Sequence, residues 1–223
     1  MNAEINYQKQ MEEVIRQLEG RKPTLLLHSC CGPCSSAVLE RLVPYFQVSL
    51  FWYNPNIWPR EELDKRFQHQ MKILESMGLE DRVRVLQGPW DHDGWKSAVA
   101  GLEGEPEGGA RCTECFRMRL SLTAQTARYY GFEWYCTTLS VSPYKDALRL
   151  NRLGEQYGQE THVRFLPSDF KKKEGYKRSI ELCRKYDIYR QDYCGCEFSL
   201  LPEKRQELEK KEEAERMLSE AGS

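Results

Sequence analysis

At 223 residues and 40% hydrophobic, the chain is long enough for one domain with a real core, so disulfides are not needed to hold it together. Its net charge of −1 excludes a molecule that binds nucleic acid by bulk positive charge, and leaves open a local basic face. Residues 1–20 read as charged and amphipathic rather than as a secretory signal, and no apolar stretch has the length of a membrane span.

The elements follow in chain order. The apolar run Thr24–His28 predicts a first strand, then a cysteine-rich turn, then a helix carrying Val38, Leu39 and Leu42. Gln47–Tyr53 predicts a second strand, stopped by Asn54-Pro55-Asn56. Pro59 opens a helix with the apolar stripe Leu63, Phe67, Met71 and Leu74, and Gly78 lies just past its end. Arg82–Gln87 is the third expected strand and Trp90–Leu102 a short helix. A Gly, Glu and Pro-rich loop covers Glu103–Ala110. Cys112–Tyr130 is expected as a helix with Cys112 and Cys115 in its first turn. Phe132–Leu139 follows as the fourth strand, a helix opened by Pro143, Val163–Leu166 as the fifth strand, and a helix over Lys173–Tyr186. Strands alternating with helices predict an α/β fold, a parallel sheet covered on both faces, whose ligands collect at the carboxyl ends of the strands. Residues 1–202 are expected to form a single domain and 203–223 a charged helix or tail, with no internal repeat.

Seven of nine cysteines fall in three tight groups: Cys30-Cys31-Gly32-Pro33-Cys34, Cys112-Thr113-Glu114-Cys115 and Cys194-Gly195-Cys196. The first two stand at helix starts, where unpaired N–H groups favour thiolates. Cys30, Cys31, Cys112 and Cys115 together would complete a [4Fe–4S] site. Glycine between Cys194 and Cys196 permits a strained, labile disulfide suited to redox cycling; the same pair could instead bind one metal ion with Cys34. A pair of zinc sites and a thioredoxin-type thiol exchanger are the other readings of the thiols. Clustered thiols of this kind belong in the reducing cytosol. Cys136 and Cys183 read as packing residues, and the four histidines as structural, with His28 the one nearest a cysteine group.

Longer motifs join these groups. They are Leu27-His28-Ser29-Cys30-Cys31-Gly32-Pro33-Cys34, Tyr53-Asn54-Pro55-Asn56-Ile57, Arg111-Cys112-Thr113-Glu114-Cys115-Phe116 with Arg119-Leu120, Thr137–Lys145, Asp169-Phe170, Gly175-Tyr176, and Tyr189–Ser199. Over roughly Leu25–Ser199 the chain resembles the QueH-type epoxyqueuosine reductases. That resemblance implies an adenine-nucleotide-hydrolase-like, three-layer α/β fold. It also implies reduction of epoxyqueuosine to queuosine at the wobble position of tRNA, by two-electron removal of the epoxide oxygen. The nucleotide loop Ser-Gly-Gly-x-Asp-Ser of that fold group is absent, so ATP use is not expected.

The resemblance implies Cys30, Cys31, Cys112 and Cys115 as [4Fe–4S] ligands, and Cys194 and Cys196 as a redox-active pair or ligands of a mononuclear iron. Some family members carry aspartate where this chain has Cys34, a further possible ligand of that iron. Tyr144, Lys145, Asp169 and Tyr193 are candidate proton donors. Lys171–Arg190 is the candidate phosphate-binding segment or else a solvated helix face, and Trp52, Tyr53 or Trp58 is the candidate stacking platform for an extruded base or else core packing. The implied partners are a tRNA carrying epoxyqueuosine and an unidentified electron donor, with no membrane. Two other functions fit the same residues: another tRNA modification such as sulfur transfer, marked by ATP dependence, and a non-catalytic iron–sulfur sensor that binds nucleic acid.

Overall fold

The structure, a computed structural model, describes residues 5–221. Helix α1 (Tyr7–Gln17) precedes β1 (Thr24–Ser29), α2 (Gly32–Leu42), β2 (Gln47–Trp52), α3 (Arg60–Ser76) and β3 (Val85–Gln87). Then come α4 (His92–Ala98), α5 (Ala110–Tyr129), β4 (Trp134–Thr137), a 3₁₀ turn (Thr138–Val141), α6 (Ala147–Thr161), β5 (Arg164–Phe165), α7 (Gly175–Lys185), a second 3₁₀ turn (Glu197–Ser199) and α8 (Pro202–Ala221).

The five strands lie in the order β3-β2-β1-β4-β5, every pair parallel. β1 is central: Leu25 sits opposite Val48 on one side and Trp134 on the other. Period-two alternation splits its leucines between two cores. Leu25 and Leu27 join Val38, Leu42, Leu50, Ile73 and Phe170, under α2, α3 and α7. Leu26 joins Phe51, Leu120, Tyr135, Leu150 and Phe165, under α5 and α6. This is the expected α/β sandwich of three layers. All three leucines are fully buried, each stabilising the fold by about 1.5–3 kcal/mol.

Several boundaries move inward from the sequence expectation. The third strand shortens to Val85–Gln87. The fourth stops at Thr137, because its hydroxyl accepts the Leu139 N–H and turns the chain into the 3₁₀ turn. Pro143 does not open a helix. Residues 142–145 form a turn, and α6 starts after Asp146, whose carboxylate accepts the Arg149 N–H at 3.1 Å. Lys173 and Glu174, expected within a helix, take positive φ of 52° and 61°, so α7 begins at Gly175. Cys136 and Cys183 are buried in the core as expected. α8 is tied to the body through Arg205, which pairs with Glu197 at 3.2 Å.

The start of α2 is pressed against α3: a Cβ on Gly32 would lie 2.6 Å from the His69 carbonyl oxygen. Backbone on both sides cannot yield without separating the helices. Gly32→Ala is therefore expected to destabilise the protein by about 1–3 kcal/mol, lowering Tm by about 2–10 °C in thermal denaturation. An unchanged Tm would show that α2 and α3 are not in this close contact.

Candidate metal and active site

β1 ends at Ser29, and the chain then turns into α2 through Cys30 and Cys31. Cys31 is extended and precedes the helix, and Pro33 occupies its first turn, where no N–H is needed. This geometry gathers Cys30, Cys31 and Cys34, whose sulfurs lie within 4.8 Å of one another. The Cys30 and Cys31 sulfurs are 3.7 Å apart. The 3₁₀ turn after β4 supports the group: the Cys30 N–H donates to Thr138 Oγ1 at 3.3 Å. Gln191 Nε2 donates to Cys31 Sγ at 3.1 Å. Hydrogen bonds from Cys31 and Cys34, aided by the charge of Arg119, hold the Cys30 thiol well below its usual range. The bond to Cys30 pushes Cys31 up to about 12, and the bonds to Cys30 and Cys31 push Cys34 up. The three thiols thus resist ionising together, and a bound cation is what would let all three do so.

Cys112 and Cys115 stand in the first turns of α5, as the sequence indicates. Cys112 Sγ accepts the Gly108 N–H at 3.2 Å. Cys115 is buried, packs with Trp95, Val99 and Cys196, and lies 3.9 Å from Arg119 Nη1. Neither falls within the tight group of Cys30, Cys31 and Cys34.

The third group is clamped from α3. Arg66, only 2% exposed, pairs with Glu62 at 2.6 Å. It also donates to the carbonyl oxygens of Cys194 (3.1 Å) and Tyr193 (3.2 Å). The Trp58 N–H donates to the Gly195 carbonyl at 2.9 Å. Gly195 has φ +103°, and a Cβ there would stand 2.8 Å from both Arg66 Nη1 and Ile57 Cγ1, so only glycine fits. Cys194 and Cys196 are free thiols. A hydrogen bond from Cys196, aided by the Lys145 ammonium, holds Cys194 well below the usual thiol range; the same bond and burial push Cys196 up. Behind this loop Glu197 is buried against His92 Nε2 at 3.0 Å.

Cys30, Cys34 and Cys194 line one cavity of about 310 Å³, together with Tyr144, Lys145 and Arg190. It opens where β1 and β4 end. The candidate proton donors divide accordingly. Tyr144 is 76% exposed at the cavity wall, and Lys145 reaches in while pairing with Glu107 at 3.6 Å. Tyr193 also lines the cavity, and its hydroxyl donates to the Trp58 carbonyl at 2.7 Å. Asp169 does not line it and instead pairs with Lys171 at 2.7 Å. Trp52, Tyr53 and Trp58 are buried at 4–6% exposure, which favours core packing over base stacking for all three. Tyr144, Tyr176 and Tyr193 are the aromatics that line the cavity. Much of the basic segment is already paired, Lys173 with Glu12, Lys177 with Glu174 and Arg178 with Glu40.

Sequence reasoning assigned no role to Arg66 or Arg119. Arg66 reads as one more charged position on a surface helix, and its partner carbonyls are 127 and 128 residues away. Arg119 had a signal, a basic residue one helical turn after Cys115. The donors assembled here are soft thiols with a buried cation beside them, a set that suits iron–sulfur clusters or thiophilic ions.

A family model described as "Epoxyqueuosine reductase QueH" matches residues 25–201. Among curated proteins, the chain is 41% identical over 206 residues to epoxyqueuosine reductase QueH of Staphylococcus epidermidis, covering 90% of this chain and 87% of the relative. It is 37% identical to the Streptococcus pyogenes protein of that name, over 89% of this chain and 79% of the relative. It is 34% identical to the Thermotoga maritima one, over 84% and 97%.

Removing Arg66 takes the counter-charge from Glu62, which keeps only the Tyr189 hydroxyl at 3.2 Å, and takes their Arg66 donors from the Cys194 and Tyr193 carbonyls. Arg66→Met is expected to lose about 3–5 kcal/mol of stability and to raise the alkylation rate of Cys194 and Cys196 in the native protein. Wild-type alkylation rates in the variant would show that Arg66 does not hold the loop.

Proposed function

This chain belongs to the epoxyqueuosine reductase QueH family, and from that premise we propose that it reduces epoxyqueuosine to queuosine at the tRNA wobble position inside the cavity lined by Cys30, Cys34 and Cys194. The observation that carries the reading is the meeting of thiols from the first and third cysteine groups on one cavity wall. Removing the epoxide oxygen to leave an alkene takes two electrons and two protons, and the oxygen leaves as water.

The proposed cofactors are a [4Fe–4S] cluster on Cys30, Cys31, Cys112 and Cys115, and an iron ion on Cys34, Cys194 and Cys196. Each cysteine of such a cluster ligates a different iron, so its sulfurs need not crowd as those around one ion do. The grouping of Cys34 with Cys30 and Cys31 supports adjacent centres, with Cys34 on the boundary between them. When bound, these groups supply one-electron reducing equivalents and a Lewis acid for the epoxide oxygen.

The chain's own residues do the rest. Burial opposes the charge on Lys145, but Cys194 and Glu107 outweigh it and keep Nζ protonated. Lys145 thereby holds a proton at the cavity wall where negative charge develops on the leaving oxygen. Glu107, 41% exposed, links that ammonium to solvent. Arg190 lines the cavity and suits an anticodon phosphate, and Tyr144 presents an exposed ring for a flanking base. The electron donor is unidentified, and nine free cysteines suit a reducing compartment such as the cytoplasm.

Two measurements test this. Protein purified anaerobically is expected to contain iron and acid-labile sulfide. Cys112→Ser should lose the sulfide, and Cys34→Ser should keep it while losing the extra iron. Zinc in place of iron would sink the cofactor assignment. In anaerobic turnover, Cys196→Ser is expected to abolish queuosine formation, and Lys145→Met to lower kcat by about 10²–10⁴-fold with a much smaller change in KM. Undiminished kcat in either variant removes that residue from the chemistry.

A further inference from the structure

Arg119 is 3% exposed, one helical turn beyond Cys115 on α5. Its Nη2 donates to Asn54 Oδ1 at 2.6 Å, its Nε lies 3.3 Å from His28 Nε2, and its Nη1 reaches Cys115 Sγ at 3.9 Å. Those partners are an amide oxygen, a ring nitrogen and a sulfur. None is a carboxylate, whereas Arg66, another buried arginine, has Glu62. A guanidinium does not deprotonate in a protein, and a buried charge needs an opposite charge close by. Of the three groups that Arg119 touches, only Cys115 can become an anion. Arg119 also shares the cavity wall with Cys30.

The scaffold fixes this cation in place. Asn54 donates its own Nδ2 to the Ser29 carbonyl at 2.9 Å, which locks the amide whose oxygen Arg119 grips. His28, fully buried, is set between Thr137 Oγ1 (2.9 Å) and the Tyr53 carbonyl (3.0 Å). Loops from β1, β2 and α5 therefore converge on one positive charge held between two cysteine groups. Such an arrangement does not reorganise when nearby charge changes.

We propose that Arg119 is the resident counter-charge of the iron–sulfur site and raises its reduction potential, acting as a positioning residue through the cluster rather than on the substrate. The inference rests on the cluster ligands proposed above. Each electron the cluster accepts makes the site more negative by one charge, and a fixed cation in a poorly solvated setting favours the reduced form. Epoxide reduction needs a site that a one-electron donor can charge readily, and the fixed guanidinium makes that charging easier.

The test is a potentiometric titration of cluster-loaded wild type, Arg119→Gln and Arg119→Lys, without substrate, followed by the visible charge-transfer band and by electron paramagnetic resonance. At the wild-type midpoint, Arg119→Gln is expected to hold at least tenfold less reduced relative to oxidised cluster, a shift of about 59 mV to more negative potential for one electron. Arg119→Lys keeps the charge and is expected within about threefold of wild type on the same one-electron scale. A Gln variant that titrates with the wild type overturns the proposal. If only the Lys variant folds, a tenfold displacement in it overturns the proposal, and a wild-type midpoint supports it. Absence of cluster iron and sulfide from the wild-type protein would remove the cluster reading, and this inference with it; an intact cluster with an unmoved potential removes the inference alone.

Discussion

The central placement of β1 governs this molecule. With strand order β3-β2-β1-β4-β5, the chain winds outward from β1 in one direction and then returns to its other side. Where the direction reverses, the connections out of β1 and β4 diverge to opposite faces of the sheet, leaving a crevice at their carboxyl ends. The first cysteine group leaves β1 into that crevice, and the Thr138 turn leaves β4 beside it. The Cys30 N–H to Thr138 Oγ1 hydrogen bond at 3.3 Å joins the two edges. Without parallel pairing of β1 with both neighbours, Cys30 and Thr138 would not meet.

Buried charge has a distinct use on each side of this crevice. Arg66 is matched by Glu62, and its remaining donors hold the backbone of the Cys194–Cys196 loop, so its work is geometric. Arg119 is matched by no carboxylate and is held by neutral groups, so its charge faces the thiols. Lys145 completes the set from the loop before α6, paired with Glu107. Arg66, Arg119, Lys145 and Arg190 thus border one cavity with Cys30, Cys34 and Cys194. This suits a site that must store negative charge and then pass it to a substrate.

The strand–helix alternation was legible because it is local. Leu25, Leu26 and Leu27 in a row announce a strand buried on both faces, and the Leu63, Phe67, Met71, Leu74 spacing announces a helix. Boundaries were less legible where side chains intervene. Thr137 and Asp146 redirect the chain through single hydrogen bonds that hydrophobic period does not register. The aromatic residues were open for a related reason: Trp52, Tyr53 and Trp58 could pack or stack, and only the fold, which buries all three, decides for packing.

By itself the sequence determined the candidates for the chemistry: three cysteine groups at strand or helix ends, embedded in motifs long enough to mark a family. Those signals are written between near neighbours, in spacing and turn propensity. Tertiary structure alone decided that Cys30 and Cys194 share a cavity, that Asp169 stands apart from it, and that Arg66 and Arg119 lie against the cysteine groups. Each of those facts depends on which strands pair and in what order, a competition among burial, register and charge across more than a hundred residues of chain, and no local pattern encodes its outcome.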